Sequence, residues 1–220
     1  MDAAKIVDQE KKLVEQEEKL FAEWRKCTKN FVIDGIIDVK TFLQQPCHFV
    51  FVLKETNQMG KTPLTSFLRD GAPGNGGHTW NPVCKWLSGE DKIFSQEDRR
   101  QILARIAVMN LKKEDGGSVT NMQKLNDVVK KDKDFIKRQL EIYSELSPVV
   151  FVCCGPGLLS MLNTHVLGNI DLHPNTSMPY AKPDNREVYY VAFNHPNCRK
   201  LSKDMIKRFK EITSLISLNS

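Results

Sequence analysis

Four short apolar runs constrain this chain more than any other feature: FVFVL at 49–53, IAVM at 106–109, VVFVC at 149–153 and VYYVAF at 188–193. Each is unbroken rather than alternating. A strand that is apolar at every position has no face to offer water, so it must be covered on both sides. Helical patterns lie between the runs: QEDRRQILAR at 96–105, DKDFIKRQLEIYSE at 132–145, GLLSML from 157, and KDMIKRFKEITSL at 203–215. Strands alternating with helices predict a parallel sheet enclosed by helical layers. The expected fold is therefore α/β, a three-layer α/β/α sandwich with a central four-stranded, mainly parallel sheet. Residues 1–27 read as one amphipathic helix with Ile6, Leu13, Leu20 and Trp24 near one face. The expected organisation is an N-terminal helix (1–29) packed on a single domain (30–220).

Composition narrows the class. At 220 residues and 40% hydrophobic content, the chain can bury one full core. No apolar run approaches the roughly 20 residues that span a bilayer, and the first residues lack the apolar stretch of a signal peptide. No membrane partner and a cytoplasmic location (prokaryotic cytosol or nucleoid) are expected. The six cysteines include no C-x-x-C pair, so neither a zinc site nor an iron–sulfur cluster has its usual spacing. A net charge of +5 permits binding to a polyanion without requiring it.

In a sheet of this kind, ligands bind beyond the carboxyl ends of the strands. The four segments that follow the apolar runs are all polar: Lys54 to Lys61 (KETNQMGK), Asn110 to Gly117 (NLKKEDGG), Cys154 to Gly157 (CGPG) and Asn194 to Lys200 (NHPNCRK). Together they describe one crevice with an anion-friendly rim.

In this order, "FVFVLKETN", "RIAVMNLKK", "VVFVCCGPG" and "VAFNHPNCRK" resemble the uracil-DNA glycosylase superfamily over roughly residues 30–200. The resemblance implies a water-activating loop after the first strand, a base-reading Asn after the second, a phosphate-holding glycine turn after the third and a His-Pro loop after the last. On that reading His195, stiffened by Pro196, donates a hydrogen bond to the carbonyl of the leaving base, and Asn110 reads its edge. The first loop departs from the common G-Q-D-P-Y-H. In one register Thr56 stands for the Asp and Gln58 for the Tyr; slipped by one, Asn57 and Met59 do. Asn57 is the favoured water-orienting residue and Glu55, the carboxylate of the loop, the runner-up base. Either register lacks the Tyr that bars C5 substituents, which leans the substrate towards a C5-modified pyrimidine, such as a modified phage cytosine, rather than uracil alone. Trp80 is a candidate platform for the flipped base. Phosphate contacts are expected from Lys112, Lys113, Asn197, Arg199, Lys200 and the backbone at Gly155 and Gly157, with Ser118 another candidate. Asn197 stands where the family commonly has Ser.

The implied activity is a monofunctional DNA glycosylase with DNA as partner, serving base-excision repair or anti-phage defence. No metal, cofactor or obligate protein partner is expected. Two rivals remain on the residues alone. One is a nucleotide- or phosphate-binding α/β hydrolase: MGKT at 59–62 echoes the end of a P-loop, but Glu55 stands where its first glycine should be. A non-catalytic module that recognises modified DNA would keep the basic rim and tolerate loss of His195. A Cys198–His195 hydrolase is remote, because three residues on one loop rarely give that geometry.

Overall fold

The computed structural model describes residues 3–57, 59–60, 62–117, 119–173, 179–183 and 187–217. In chain order its strands are β1 (Gly35–Ile36), β2 (His48–Leu53), β3 (Ile106–Asn110), β4 (Val149–Cys154), β5 (Tyr180–Ala181) and β6 (Val188–Phe193). The helices are α1 (Ala3–Cys27), α2 (Val39–Leu43), α3 (Leu64–Arg69), α4 (Gly77–Ser88), α5 (Gln96–Leu103), α6 (Met122–Lys131), α7 (Lys133–Ser144), α8 (Leu158–Leu162) and α9 (Ser202–Ser217).

The four apolar runs become β2, β3, β4 and β6, which lie parallel and adjacent. Alternate residues of each strand enter different cores. Phe51, Val108, Val152 and Val191 pack with α3, α4, α5 and α9 on one face. Val52, Met109, Phe151 and Tyr190 pack with α1, α2, α6, α7 and α8 on the other. Both faces are covered, which is why the runs carry no polar positions. On the first face Phe209 of α9 stacks on Phe51, with ring centroids 6.1 Å apart and planes 5° from parallel. Trp86 packs edge-on against Phe193 at 5.0 Å.

The sheet corrects one expectation. Among the described residues it is six-stranded and mixed, in the order β1-β3-β2-β4-β6-β5, rather than four-stranded. The additional strands, β1 and β5, are two residues long and pair antiparallel to β3 and β6. They cover the backbone edges that the parallel core would otherwise expose. Two residues are too few to leave a periodic signal in a sequence.

The connections follow from handedness. From β2 the chain passes through α3, α4 and α5 on one face and enters β3. From β3 it passes through α6 and α7 on the opposite face and enters β4, on the other flank of β2. Right-handed crossovers that reverse direction across a sheet must change face. The reversal leaves diverging loops at the carboxyl ends of β2 and β4, where crevices form in open α/β sheets.

Helix α1 is part of the core. Leu13, Leu20, Phe21 and Trp24 form its buried stripe. Trp24 Nε1 donates to Asp132 at 3.1 Å, and its ring stacks on Phe135 at 5.3 Å. Glu17 on the same helix is buried and accepts from the Tyr143 hydroxyl and from the Ile36 amide. Gly35 is required beside it: its φ is +124°, and a Cβ there would lie 2.4 Å from Glu17 Oε1. Burial raises the Glu17 carboxyl from its ordinary 4.5 to about 7, against the lowering effect of the Tyr143 hydrogen bond.

The linkage has a definite sign. Between pH 4.5 and about 7 the folded chain holds a proton at Glu17 that the unfolded chain has lost. Stability therefore falls as pH rises through that window, by about 3 kcal/mol in total if Glu17 acts alone. Glu17→Gln should lack this loss: urea unfolding should show the wild type declining relative to the variant from pH 4.5 to 7. Parallel stability curves would mean that Glu17 is ionised throughout.

Candidate functional site at the carboxyl ends of the parallel strands

The ladder register sets the floor of the site. Leu53 pairs with Asn110, Val52 with Cys153 and Cys154 with Phe193, so the four parallel strands end at one level. Just beyond that level stand Leu111, Lys54, Gly155 and Asn194. Gly155 has φ +143°, and a Cβ there would sit 3.3 Å from Lys54 Cε. The missing side chain lets the lysine stem lie against the end of β4.

The loop after β2 is zipped to the loop after β3. Leu53 O accepts from Leu111 N at 3.0 Å, Lys54 O from Lys112 N at 2.9 Å, and Thr56 O from Gly116 N at 2.7 Å. Asp115 completes the join by accepting from Thr56 Oγ1 (2.6 Å) and from the amides of Met59 (3.2 Å) and Gly60. Glu55, its side chain 7% exposed, forms an ion pair with Lys112. Gly116 makes that pair possible, since a Cβ there would lie 2.1 Å from Glu55 Cδ.

These contacts revise several expectations. Thr56 is buried with its hydroxyl donated to Asp115, so it does not contact a base. Lys112 is held by Glu55 and is not a free cation for phosphate, while the Glu55 carboxylate is occupied by the same pair. Met59 is half-buried and packs on the α4–α9 core. Asn57 is exposed and bridges to Gly116. Gln58, Lys61 and Ser118 lie outside the described residues.

Asn110 ends β3 and is 2% exposed. Its backbone N donates to Asp34 Oδ2 at 2.6 Å and its Nδ2 to the same oxygen at 3.3 Å. Its Oδ1 is buried with no partner among the described residues. An unmatched buried acceptor costs on the order of 1–3 kcal/mol. Asp34 also binds Lys113 Nζ at 2.7 Å through both oxygens and accepts from Gln139 Nε2 at 3.1 Å. Lys113 is itself 1% exposed, with its ammonium 4.7 Å above the Trp24 ring. The expectation that Lys113 touches phosphate is therefore corrected: alternate residues beyond β3 point in opposite directions, and Lys113 points into the core beneath α1. Desolvation pulls its pKa down, while Asp34 opposes that effect.

The loop after β6 presents His195, which is half-buried. Asn197 N donates to His195 Nδ1 at 3.2 Å, and Asn197 Nδ2 ties the loop to Thr79 Oγ1 of α4 at 3.1 Å. With Nδ1 accepting, the ring proton of the neutral imidazole sits on Nε2. Burial first, and the Lys54 charge second, lower the pKa of His195 and favour that neutral form. Asn197 is thus a brace for the histidine. Cys198 is 3.7 Å from Met205 Sδ, and His195 Nδ1 is occupied by Asn197, so the two do not form a nucleophile–base pair.

Arg199 and Lys200 are exposed beside this loop. A cavity of about 450 Å³ opens between the ends of β4 and β6, with a mainly apolar wall that includes Leu159, Leu172 and Phe193 and with Ser160, Asn194, Lys200 and Arg208 as its polar groups; Asn57, Asn110 and His195 do not line it. Arg208 Nη1 donates to Asn194 Oδ1. Trp80 is 4% exposed in the α4 core, which corrects its expected role as a base platform: in a helix packed on a sheet, an aromatic on the inner stripe is buried.

Asp34, Asp115 and Lys54 are site residues that no sequence motif singled out. A lone acid inside the apolar stretch FVIDGII is the signal that would have identified Asp34 as a buried, partnered carboxylate. Among the described residues no helix is long and apolar enough to cross a membrane, and no group of three or more His, Cys, Asp or Glu is placed to hold a metal ion.

Compared with known proteins, the chain matches no family model, and no curated protein matches it. What the fold and site define is an α/β protein with polar loops gathered at the carboxyl ends of its parallel strands.

If Asp115 sets the shape of the first loop, Asp115→Ala should free the Met59 and Gly60 amides. Hydrogen–deuterium exchange there should accelerate by about tenfold or more, with the β-strand amides unchanged. Unchanged exchange at these two amides would show that the loop is held by other contacts.

Proposed function

We propose that the crevice is the active site of a monofunctional DNA glycosylase of uracil-DNA glycosylase-like fold. The observation that carries the reading is His195: a half-buried neutral imidazole whose Nδ1 is held by Asn197, leaving an Nε2–H as donor. A glycosylase needs such a group. Water adds to C1′, the N-glycosidic bond breaks, and the base leaves with the bonding electron pair, its carbonyl oxygen taking up negative charge. A fixed donor at that oxygen stabilises the departing anion without transferring a full charge of its own. The proton released by the water returns to the base, and an abasic site remains.

The other roles follow from position. Asn110 ends β3 and His195 lies two residues beyond β6, strands about 14 Å apart at three strand spacings, and side chains reaching in from both flanks would close on a single planar base between them. The unpartnered Oδ1 of Asn110 would accept from the ring N–H of a pyrimidine. Asn110 is 2% exposed, so reaching it requires its cover to part as the base enters. Asn57 is the group we assign to the attacking water, because the Glu55 carboxylate is held by Lys112. Arg199 and Lys200, with the exposed turn at Gly157, would receive phosphates; the Gly155 amide, expected to join them, is buried and donates to Phe193 O at 2.9 Å. The first loop brings no aromatic ring against C5: Met59 lies on the core. That supports uracil or, leaning, a C5-modified pyrimidine as substrate, in repair or anti-phage defence.

The test is excision from duplexes that carry uracil or C5-modified cytosines, read as abasic product. His195→Gln should lower the rate about 10²–10³-fold. The wild-type rate should stay level as pH falls to the ordinary histidine value of 6.5, because the folded imidazole remains neutral there. Loss of the rate centred above 6.5 would contradict a neutral donor. No abasic product on any of these duplexes would leave DNA recognition without cleavage as the better reading.

A further inference from the structure

A second cavity, of about 480 Å³, lies between the carboxyl end of α1 and the first strand-end loop. It is lined by Arg25, Thr28, Asn30, Phe31, Ile33 and Gly60. None of these residues has a part in the chemistry described above.

Three features give the cavity the character of a binding site. Thr28 is 8% exposed, and its hydroxyl has no hydrogen-bond partner among the described residues. Arg25 places its guanidinium carbon 5.8 Å from the centroid of the Phe31 ring, so a cation and an aromatic face stand together. Gly60, in a left-handed turn with φ +58°, has no atom within 4 Å of where a Cβ would be, which keeps that wall open. The surroundings are basic. Lys26 and Lys29 are exposed next to Arg25, and Lys131 Nζ reaches Cys27 O at 3.4 Å, bringing the end of α6 to the same rim. Glu114, backbone-bridged to Phe31, adds one acid nearby, and Glu23 is paired with Arg138.

We propose that this cavity binds one nucleotide of a single DNA strand next to the base in the crevice. The unstacked base would lie on the Arg25–Phe31 surface, and its phosphate would take the Thr28 hydroxyl and the basic rim. Single-stranded nucleic acid is bound in this way, by a positive groove combined with a π-face or guanidinium plane on which any base can stack. A base in a duplex is already stacked and cannot use such a surface. Because Gly60 and Asn57 belong to one loop, occupancy here would favour a target in single-stranded or locally opened DNA. This inference rests on DNA entering the strand-end crevice, but it is tested by binding rather than by excision.

The experiment compares the full-length wild type with Arg25→Glu and Thr28→Val. The probes are a fluorescein-labelled oligothymidylate of about 12 nucleotides and a duplex of equal length, read by anisotropy between about 50 and 200 mM salt. Arg25→Glu should weaken single-strand binding about tenfold and Thr28→Val about threefold, with duplex binding within about twofold of wild type. A 4-thiothymidine oligonucleotide should crosslink within residues 25–33. Equal weakening on both probes, or crosslinks confined to 194–200, would overturn the site. The two readings fail separately. If wild type excises no base but these crosslinks form, the glycosylase proposal falls and the cavity stands; if it excises bases but ignores the single strand, the cavity falls alone.

Discussion

The buried carboxylate of Asp34 is the interaction on which the rest of the structure depends. It receives the Lys113 ammonium, the Gln139 amide and both nitrogens of Asn110, all away from water. Taking two opposite charges out of water costs several kcal/mol per ion, and mutual attraction offsets that only where the remaining lone pairs are filled. Here they are filled, by groups from β3, from the loop beyond it and from α7. Removing either charge would leave the other uncompensated, a loss of roughly 3–5 kcal/mol. The network is therefore a poor source of net stability and a strong source of specificity. It fixes which way Lys113 points, and so which way the alternate residues of the 111–117 loop point, with Lys112 directed outward to Glu55.

The same network links the N-terminal helix to the crevice. Gln139 is hydrogen-bonded to the Tyr143 hydroxyl, Tyr143 donates to Glu17, and Glu17 accepts from the Ile36 amide of the edge strand. The ammonium of Lys113 lies against the Trp24 and Phe21 rings of α1. Asn110 is thus braced from behind by a continuous set of polar contacts that ends on the helix. With its Nδ2 donated to Asp34, the carboxamide is held in one of its two orientations. The exposed half of the crevice is braced differently, by Asp115 under the first loop and by Asn197 under His195. Each uses backbone amides as donors, so loop shape and side-chain orientation are set by the same bonds.

How much of this was legible in the sequence divides along one physical line. The parallel core was legible because burial on both faces leaves unbroken apolar runs, and the strand ends were legible because a buried strand must stop where polar residues begin. The long-range pairings were not. Lys112 and Lys113 are identical in composition and adjacent in sequence, yet one is half-buried at the rim and the other sits in the core with a partner 79 positions away. Nothing local distinguishes them except strand alternation carried three residues further than the strand itself. Trp80 follows the same logic. Its glycine-rich approach suggests a mobile loop, but the residue lies on the inner stripe of α4, and helix periodicity outweighs the composition of the segment before it. The two-residue edge strands were out of reach, since they exist only because β3 and β6 present free edges to them.

The position of Lys54 joins these threads. It stands one residue beyond β2, at the centre of the sheet, and its stem crosses Gly155. Among the described residues its ammonium makes no ion pair, whereas its neighbours Glu55 and Lys112 neutralise each other. A positive charge without an ion pair among the described residues, at the carboxyl end of the central strand, has two consequences. It disfavours a second cation close by, which helps keep His195 neutral, and it attracts an anion to the floor of the site. The sheet topology produces this arrangement directly: the central strand of a reversing α/β sheet delivers its next residue to the middle of the crevice, and here that residue is a lysine beside a glycine that lets it lie flat.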